Sequence, residues 1–597
     1  MRRYQVVDGR PRTVALIVGS REMAVDGPEV ALTVDGRRIT DADLSPSQVE
    51  ESADRLTWML FGQGIAVRVV VERGSDLARK RVEVSGRGHL TDVELDRWAG
   101  PTFEGFETTG EPVPYNEGPV GLGQPVFGPG FFAGVEHPAA ENLVGPGGTG
   151  AALRLPVAVD LGPDPWASPG AVVGGGHLDE FWDYVDGLRP NPPRAVVLSN
   201  NWYHLGATAR MDEASVRAEV EGFDAVAARH GLALDFVVLD DGWEGAVEAR
   251  WDEATGLWGG LAPSRFPSGI GPLGPRVGLW LSPFGGYGER QRGRVAWARA
   301  HGLEVDPRRN LLCAAGTRYR AHLAEVLARW TGAGVGYWKL DGVSFDCADP
   351  GHGHPVGPGA RTAQVDAFRG LVEGIRAVRH DAVVIFTIGS HPSPWWLSAV
   401  DFVWRGGLDD TAADQPGSRL DRFDTYVDTC LQRYRPAAFP LSALVTFSFV
   451  EAPTASYRNG GTGLEDWARH CWLAAGRGTL HHDLYVAPDS LSDEEWRVLA
   501  DALAWARGHE RVLARSRMVL GDPGAGEVYG FAARKGDAAT ACLRNPSPHA
   551  RTVDVDWPAL LGFPAGTPLA LTARHGPSPD VPFTLGPFEV LVLEATA

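Results

Sequence analysis

From Arg194 onward the 597-residue chain alternates short apolar runs with amphipathic segments for about three hundred residues, and few folds accept that rhythm. The runs are Ala195-Val196-Val197-Leu198, Phe236-Val237-Val238-Leu239, Val277-Gly278-Leu279-Trp280-Leu281, Gly336-Tyr337-Trp338-Lys339-Leu340, Val383-Val384-Ile385-Phe386, Asp401-Phe402-Val403-Trp404 and Ala443-Leu444-Val445-Thr446-Phe447. Between them the apolar spacing predicts helices near 212–230, 289–301, 318–330 and 363–379, and another near 493–506 closes the region. Seven or eight strand–helix units point to a (β/α)8 barrel more than to an open doubly wound sheet. The open sheet would want a glycine-rich phosphate turn after an early strand, and the sequence has none.

The flanks read differently. Residues 1–165 carry short alternating runs such as Ala66-Val67-Arg68-Val69-Val70-Val71, separated by Gly, Pro and Asp, which is the pattern of a β-sandwich. Residues 166–193 are rich in Pro and Gly and read as a linker carrying one aromatic segment, Phe181-Trp182-Asp183-Tyr184-Val185. The barrel is assigned to 194–510, and 511–597 returns to short β patterns, a small C-terminal antiparallel domain. The expected class is therefore multidomain, α/β at the centre and all-β at both ends.

Composition removes some partners. A net charge of −19 with no basic run argues against a nucleic acid, because a phosphate partner wants a basic face. No stretch approaches the ~20 apolar residues of a membrane span. No apolar segment follows Arg2-Arg3, and five scattered cysteines lack any C-x-x-C, so a reduced cytoplasmic protein is expected. Twenty tryptophans lean toward sugar stacking, but core filling accounts for the count equally well. A homo-oligomer stays open.

In such barrels the active site forms where strands run into the following loops. Leu239-Asp240-Asp241-Gly242-Trp243 offers two carboxylates that can accept bonds from sugar hydroxyls, although Asp-Gly is also common turn chemistry. In Trp338-Lys339-Leu340-Asp341, residues 339 and 341 share a strand face, and a cation there favours an ionised, nucleophilic Asp341; a structural ion pair is the alternative. Trp404-Arg405-Gly406-Gly407-Leu408-Asp409-Asp410 ends another strand in a glycine-flexed loop that could carry an acid opposite Asp341, or be a surface turn. Trp202 and Trp280 are candidate stacking walls, each on its own more often core or turn.

Taken together, Asn201-Trp202, Asp240-Asp241-Gly242-Trp243, Gly278-Leu279-Trp280, Trp338-Lys339-Leu340-Asp341 and Arg405 to Asp409 resemble the retaining α-galactosidase clan, in the melibiase and raffinose-synthase flavour. The motifs cover roughly 195–410. The resemblance implies Asp341 as nucleophile, Asp409 as acid/base with Asp410 as its rival, and Lys339, Asp240, Asp241 and Arg405 as sugar contacts. It implies no metal and no organic cofactor, and a carbohydrate substrate. The clan's Cys-Ser-Gly-Gly-Gly-Arg segment is absent; Ile388-Gly389-Ser390-His391-Pro392 stands there, which makes His391 and Trp395 or Trp396 candidate pocket residues. Gly342 follows the nucleophile where many members have Asn.

The expected chemistry is hydrolysis of terminal α-galactosides by double displacement. Retention asks for carboxyls about 5–5.5 Å apart and inversion for roughly 6.5–9.5 Å. Galactosyl transfer to a sugar acceptor, α-N-acetylgalactosaminidase activity and a non-catalytic sugar-binding protein are the alternatives. A metal-dependent hydrolase is a further one, through Asp346, Cys347, His352 and His354 or through His481-His482-Asp483. The run Gly351-His352-Gly353-His354-Pro355 is expected to be a flexible, solvated loop instead.

Overall fold

A computed structural model describes the chain apart from residues 1, 8–9, 19–20, 75, 106–120, 270–273, 275, 388–390, 410–414, 436 and 459–461. Its centre is a closed ring of eight parallel strands: β1 (Val196–Asn200), β2 (Phe236–Leu239), β3 (Val277–Leu281), β4 (Tyr337–Leu340), β5 (Val383–Phe386), β6 (Phe402–Trp404), β7 (Leu444–Val445) and β8 (His481–Val486). Closure comes from the pairing of Val196 with His481. Every residue of these strands is buried, which explains their nearly unbroken apolar runs.

Among the described residues seven helices surround the ring: α1 (Glu213–His230), α2 (Gly288–Ala300), α3 (Thr317–Gly332), α4 (Ala360–Val378), α5 (Arg419–Gln432), α6 (Leu464–Gly476) and α7 (Asp493–Gly508). Local chemistry sets their ends. Asp212 accepts the Ser215 amide at 2.7 Å to start α1, and Gly231, at φ 72°, ends it. Helices α5 and α6 and strand β8 fall outside the expected elements. Strand β8 opens with His481-His482-Asp483, so no apolar run announces it.

The N-terminal region packs a five-stranded and a nine-stranded antiparallel sheet around one apolar core. Its larger sheet continues past residue 165. Trp166–Ala167 and Ala171–Gly175 both pair with Leu77–Gly86, so part of the expected linker is strand. That linker also holds a helix, Leu178–Leu188, that fastens this region to the barrel: Phe181 meets Trp395 edge-on at 5.5 Å and Trp182 donates to the Ala438 carbonyl at 2.8 Å. The C-terminal region is a five-stranded antiparallel sheet with a separate pair, Arg551–Val553 with Phe583–Leu585. Among the described residues no helix is long and apolar enough to cross a membrane.

Candidate active site

The C-terminal ends of the barrel strands open into a cavity of about 790 Å³. Trp202, Asp240, Asp241, Trp280, Lys339, Asp341 and Asp409 all line it, together with Tyr287, Arg290, Thr387, Trp404, Phe447 and Tyr485. A groove of similar size, about 840 Å³, lies between the N-terminal sheet and helices α3 and α4. Its one carboxylate, Asp366, is engaged by His137 at 3.0 Å, so the titratable groups converge in the barrel mouth instead.

Asp341 follows β4 directly. Its Oδ2 accepts the Trp280 indole N–H at 2.8 Å, and its Oδ1 accepts the Tyr287 hydroxyl at 3.2 Å and the Thr387 hydroxyl. Three donors fix the orientation of the carboxylate. Gly342 has a structural reason: its φ is +84°, and a Cβ there would overlap the Phe284 ring, which packs edge-on beneath Tyr287 at 5.5 Å. Gly342 thus makes room for the ring that supports Tyr287, a hydrogen-bond partner of Asp341.

Lys339 is buried, and its ammonium donates to Asp240 Oδ2 at 2.8 Å and to the Tyr485 hydroxyl at 3.1 Å. Burial opposes its charge, but the charges of Asp240 and Asp341 outweigh it and hold the ammonium above its usual range. Asp240 also accepts the Asn200 side-chain amide at 2.8 Å, while Asn201 Oδ1 accepts the Asp240 backbone N–H at 2.9 Å. Asn200 and Asn201 thereby hold the first aspartate of the pair. The second, Asp241, is held by Arg294, which also grips buried Glu244 at 2.6 Å and lies 4.2 Å over the Trp258 ring. The Arg290 guanidinium sits 3.5 Å from Asp241 Oδ2 and 5.6 Å over Trp202, which it backs.

Asp409 reaches the cavity from the loop after β6. Gly406 and Gly407, at φ 82° and 80°, turn the chain back, and the Leu408 amide donates to the Tyr426 hydroxyl at 2.7 Å. The side chain touches solvent through the cavity, yet the surrounding walls thin its hydration. Desolvation, then the charge of Asp341, push its pKa up to about 6 against the opposing pull of Lys339 and Arg405.

Arg405, His391, Trp395 and Trp396, all expected at the pocket, lie elsewhere. Side chains alternate along a strand, so with Trp404 facing the cavity Arg405 turns away from it. Arg405 is fully buried, stacks 4.4 Å over Trp404, and donates to the carbonyls of Gly406 at 2.5 Å and Leu408 at 3.0 Å. It shapes the Asp409 loop rather than lining the pocket. His391 is buried against the N-terminal sheet region, its Nε2 bonded to the Pro138 carbonyl at 2.6 Å, and burial pushes its pKa down to about 4, which keeps it neutral. Trp395 and Trp396 are core residues, the latter stacked on Phe345 at 5.4 Å. Asp410 lies outside the described residues.

Tyr485, Thr387, Tyr287 and Arg290 are absent from the sequence-derived set. Thr387 had a signal, being the first polar residue after an apolar strand. Tyr485 sits in the strand whose polar start hid it. Neighbouring His481 and His482, their pKa values pushed down to about 3 by burial, are neutral wall residues of β8, and His481 Nε2 pairs with the Tyr337 hydroxyl at 2.8 Å.

No family model matches the sequence, and no curated protein matches it. Solved structures do match in shape. A variant of the GH36 α-galactosidase AgaA from Geobacillus stearothermophilus, bound to 1-deoxygalactonojirimycin, superposes with a TM-score of 0.62 at 13% identity, over 97% of this chain and 90% of that one. AgaB, a GH36 α-galactosidase from the same organism, gives 0.60 at 13% identity over 97% and 90%. The galactosidase domain of the α-galactosidase–sucrose kinase AgaSK gives 0.60 at 13% identity over 95% and 88%. Sandwich, barrel and C-terminal sheet together therefore reproduce the fold of the GH36 α-galactosidases.

Proposed function

We propose that this chain is a glycoside hydrolase that cleaves terminal α-galactosides, or a sugar with the same axial hydroxyl, by double displacement. The observation that carries the proposal is the chemical asymmetry of two aspartates on one cavity. Asp341 is fixed in place by three hydrogen-bond donors, whereas the carboxyl of Asp409 is pushed up to about 6. A fixed anion and a proton-bearing acid are the pair that glycoside cleavage requires. The shared fold adds support, since AgaA variants have been solved in complex with raffinose and with stachyose.

In this mechanism Asp341 attacks the anomeric carbon while Asp409 protonates the departing glycosidic oxygen. Asp409, now a base, then takes a proton from the water that opens the glycosyl ester. Asp240, whose two oxygens both accept protein donors, and Asp241, whose Oδ1 takes Arg294, turn their remaining lone pairs, with the Lys339 ammonium, toward the hydroxyls of the sugar. Trp202 and Trp280 supply flat apolar walls. The five unpaired cysteines fit a reducing cytoplasm.

The test is a panel of p-nitrophenyl α- and β-glycosides, with the anomer of the first product followed by NMR. Release from the α-galactoside with the α-anomer formed first is expected. Formation of the β-anomer first would replace double displacement by inversion. Near-normal activity of Asp341→Ala on every cleaved substrate would remove the nucleophile assignment.

A further inference from the structure

Away from the cavity, the loop after β4 and the segment before α3 bring four side chains to one point. Cys313, Cys347, His352 and His354 are all buried, and one ligand atom from each lies within 4.8 Å of every other. Cys347 Sγ is 3.2 Å from His352 Nδ1, and Cys313 Sγ is 3.3 Å from His354 Nε2. Around tetrahedral zinc, with bonds of about 2.3 Å to sulfur and 2.0–2.1 Å to nitrogen, the edges of the ligand tetrahedron come to roughly 3.3–3.8 Å. Small adjustments would bring these four atoms to that geometry.

We propose that Cys313, Cys347, His352 and His354 bind a structural zinc ion. The outer contacts of both imidazoles support it. His354 Nδ1 donates to the Pro355 carbonyl at 2.8 Å, which leaves the Nε2 lone pair aimed at the sulfurs. His352 Nε2 faces the Asp349 carboxylate at 3.6 Å, which leaves Nδ1 as its ligand atom. A metal-bound histidine ordinarily has its second nitrogen held in this way. Gln364 of α4 clasps Cys347 from behind, its side chain accepting from the Cys347 N–H at 3.1 Å and donating to the Cys347 carbonyl at 2.8 Å. Gly353, at φ +77°, makes the turn that returns both rings to one centre, and a Cβ there would strike the Thr317 hydroxyl.

The chemistry selects the ion. Two thiolates and two imidazoles form a set that suits zinc, and a hard cation would want oxygen ligands. Binding releases two thiol protons to solvent, after which two thiolates and Zn²⁺ sum to zero charge in a buried site. Asp346 is not part of the set; it pairs with Arg361 at 2.5 Å. The burial of His352 and His354 also corrects the expectation of a solvated loop. None of the four residues lines the barrel-mouth cavity, so the ion would act on structure. It would cross-link the loop that begins at Asp341 to the chain entering α3.

The experiment is elemental analysis of the full-length protein purified under reducing conditions, together with cobalt reconstitution of chelator-stripped protein. One zinc per chain is expected, with two thiols becoming reactive when it is removed. The cobalt form should show the visible d–d absorption and near-ultraviolet thiolate band of a tetrahedral S₂N₂ site. Cys347→Ser and His354→Asn should lose the zinc, and catalytically dead Asp341→Asn should keep it, which separates this proposal from the catalytic one. If the wild-type protein contains no stoichiometric zinc and the stripped protein gives no cobalt bands, the proposal is overturned. A Cys313–Cys347 disulfide found by mass spectrometry in that protein would overturn it as well.

Discussion

The Lys339 ammonium donates to Asp240 at 2.8 Å, so the cation expected to serve Asp341 is paired directly with the first carboxylate of the Asp240-Asp241 motif. Asp341 feels that charge through space while taking its hydrogen bonds from Trp280, Tyr287 and Thr387. The same charge also pulls the pKa of Asp409 downward.

Lys339→Met should lower kcat/KM at least about a hundredfold, the scale of losing one preorganised charge. It should also move the alkaline limb of the pH profile upward, since Asp409 loses a cation that favours its ionised form. Steady-state rates from pH 4 to 9 read both effects. A limb that stays in place would show that Lys339 does not act on Asp409.

The limb itself follows from Asp409. The acid must carry a proton at the start of each turnover, and that proton is lost as pH rises through about 6. Activity should therefore be full below that point and fall about tenfold per pH unit well above it. Asp409→Asn should cost about 10²–10⁴-fold in kcat/KM on a poor leaving group such as a sugar, and much less in kcat/KM on p-nitrophenolate, which departs without a proton. Equal losses on both substrates would contradict the assignment.

In Asp341→Asn, removing the neighbouring negative charge should shift the Asp409 titration downward from about 6, opposite to the Lys339→Met shift. Carboxyl-labelled NMR of the inactive variant reads this without turnover.

The barrel was legible because its strands are buried on both faces, which forces runs such as Val383-Val384-Ile385-Phe386. Strand β8 escaped because His481, His482 and Asp483 are buried polar groups, and burial is not visible in residue type. At the site, Lys339 could be named because it shares a strand face with Asp341, and Asp240, Asp241, Asp341 and Asp409 because each lies beyond the end of a strand. Arg405 meets that criterion as well, but alternation turns it away from the cavity. Tyr287 and Arg290 lie beyond the turn after β3, where nothing in the local sequence marks them. The Cys/His centre was half legible: Cys347, His352 and His354 are close in sequence, but Cys313 joins them only through the fold.

Arg405 offers a direct check of that correction. As a residue shaping the Asp409 loop, Arg405→Lys should lower kcat while leaving the affinity for a non-hydrolysed galactose analogue nearly unchanged. A single ammonium cannot replace the guanidinium fork on the Gly406 and Leu408 carbonyls. A large loss of analogue affinity by calorimetry, with kcat preserved, would return Arg405 to the role of substrate contact.

A last prediction concerns the joint between the barrel and the C-terminal sheet. Arg477, at the end of α6, is fully buried and donates to Asp428 at 2.6 Å and to Asp424 at 2.7 Å, both on α5. His470 approaches Asp424 at 3.0 Å, and Tyr529 of the C-terminal sheet donates to Asp428. Burial works against ionisation of Asp424, but the charges of His470 and Arg477 outweigh it and hold the carboxyl well below its usual range. Arg477→Met removes the guanidinium that two buried carboxylates share and should destabilise the protein by about 3–5 kcal/mol at neutral pH. The sign with pH follows from the depressed carboxyl. Its contribution in the wild type is present above the unfolded value near 4 and is lost as pH falls below it. The variant, with Asp424 freed to rise, should therefore lose less on acidification than the wild type does. Urea unfolding at pH 7 and pH 4 measures the difference, and an equal gap between the two proteins at both values would show that Arg477 does not set the charge state of Asp424.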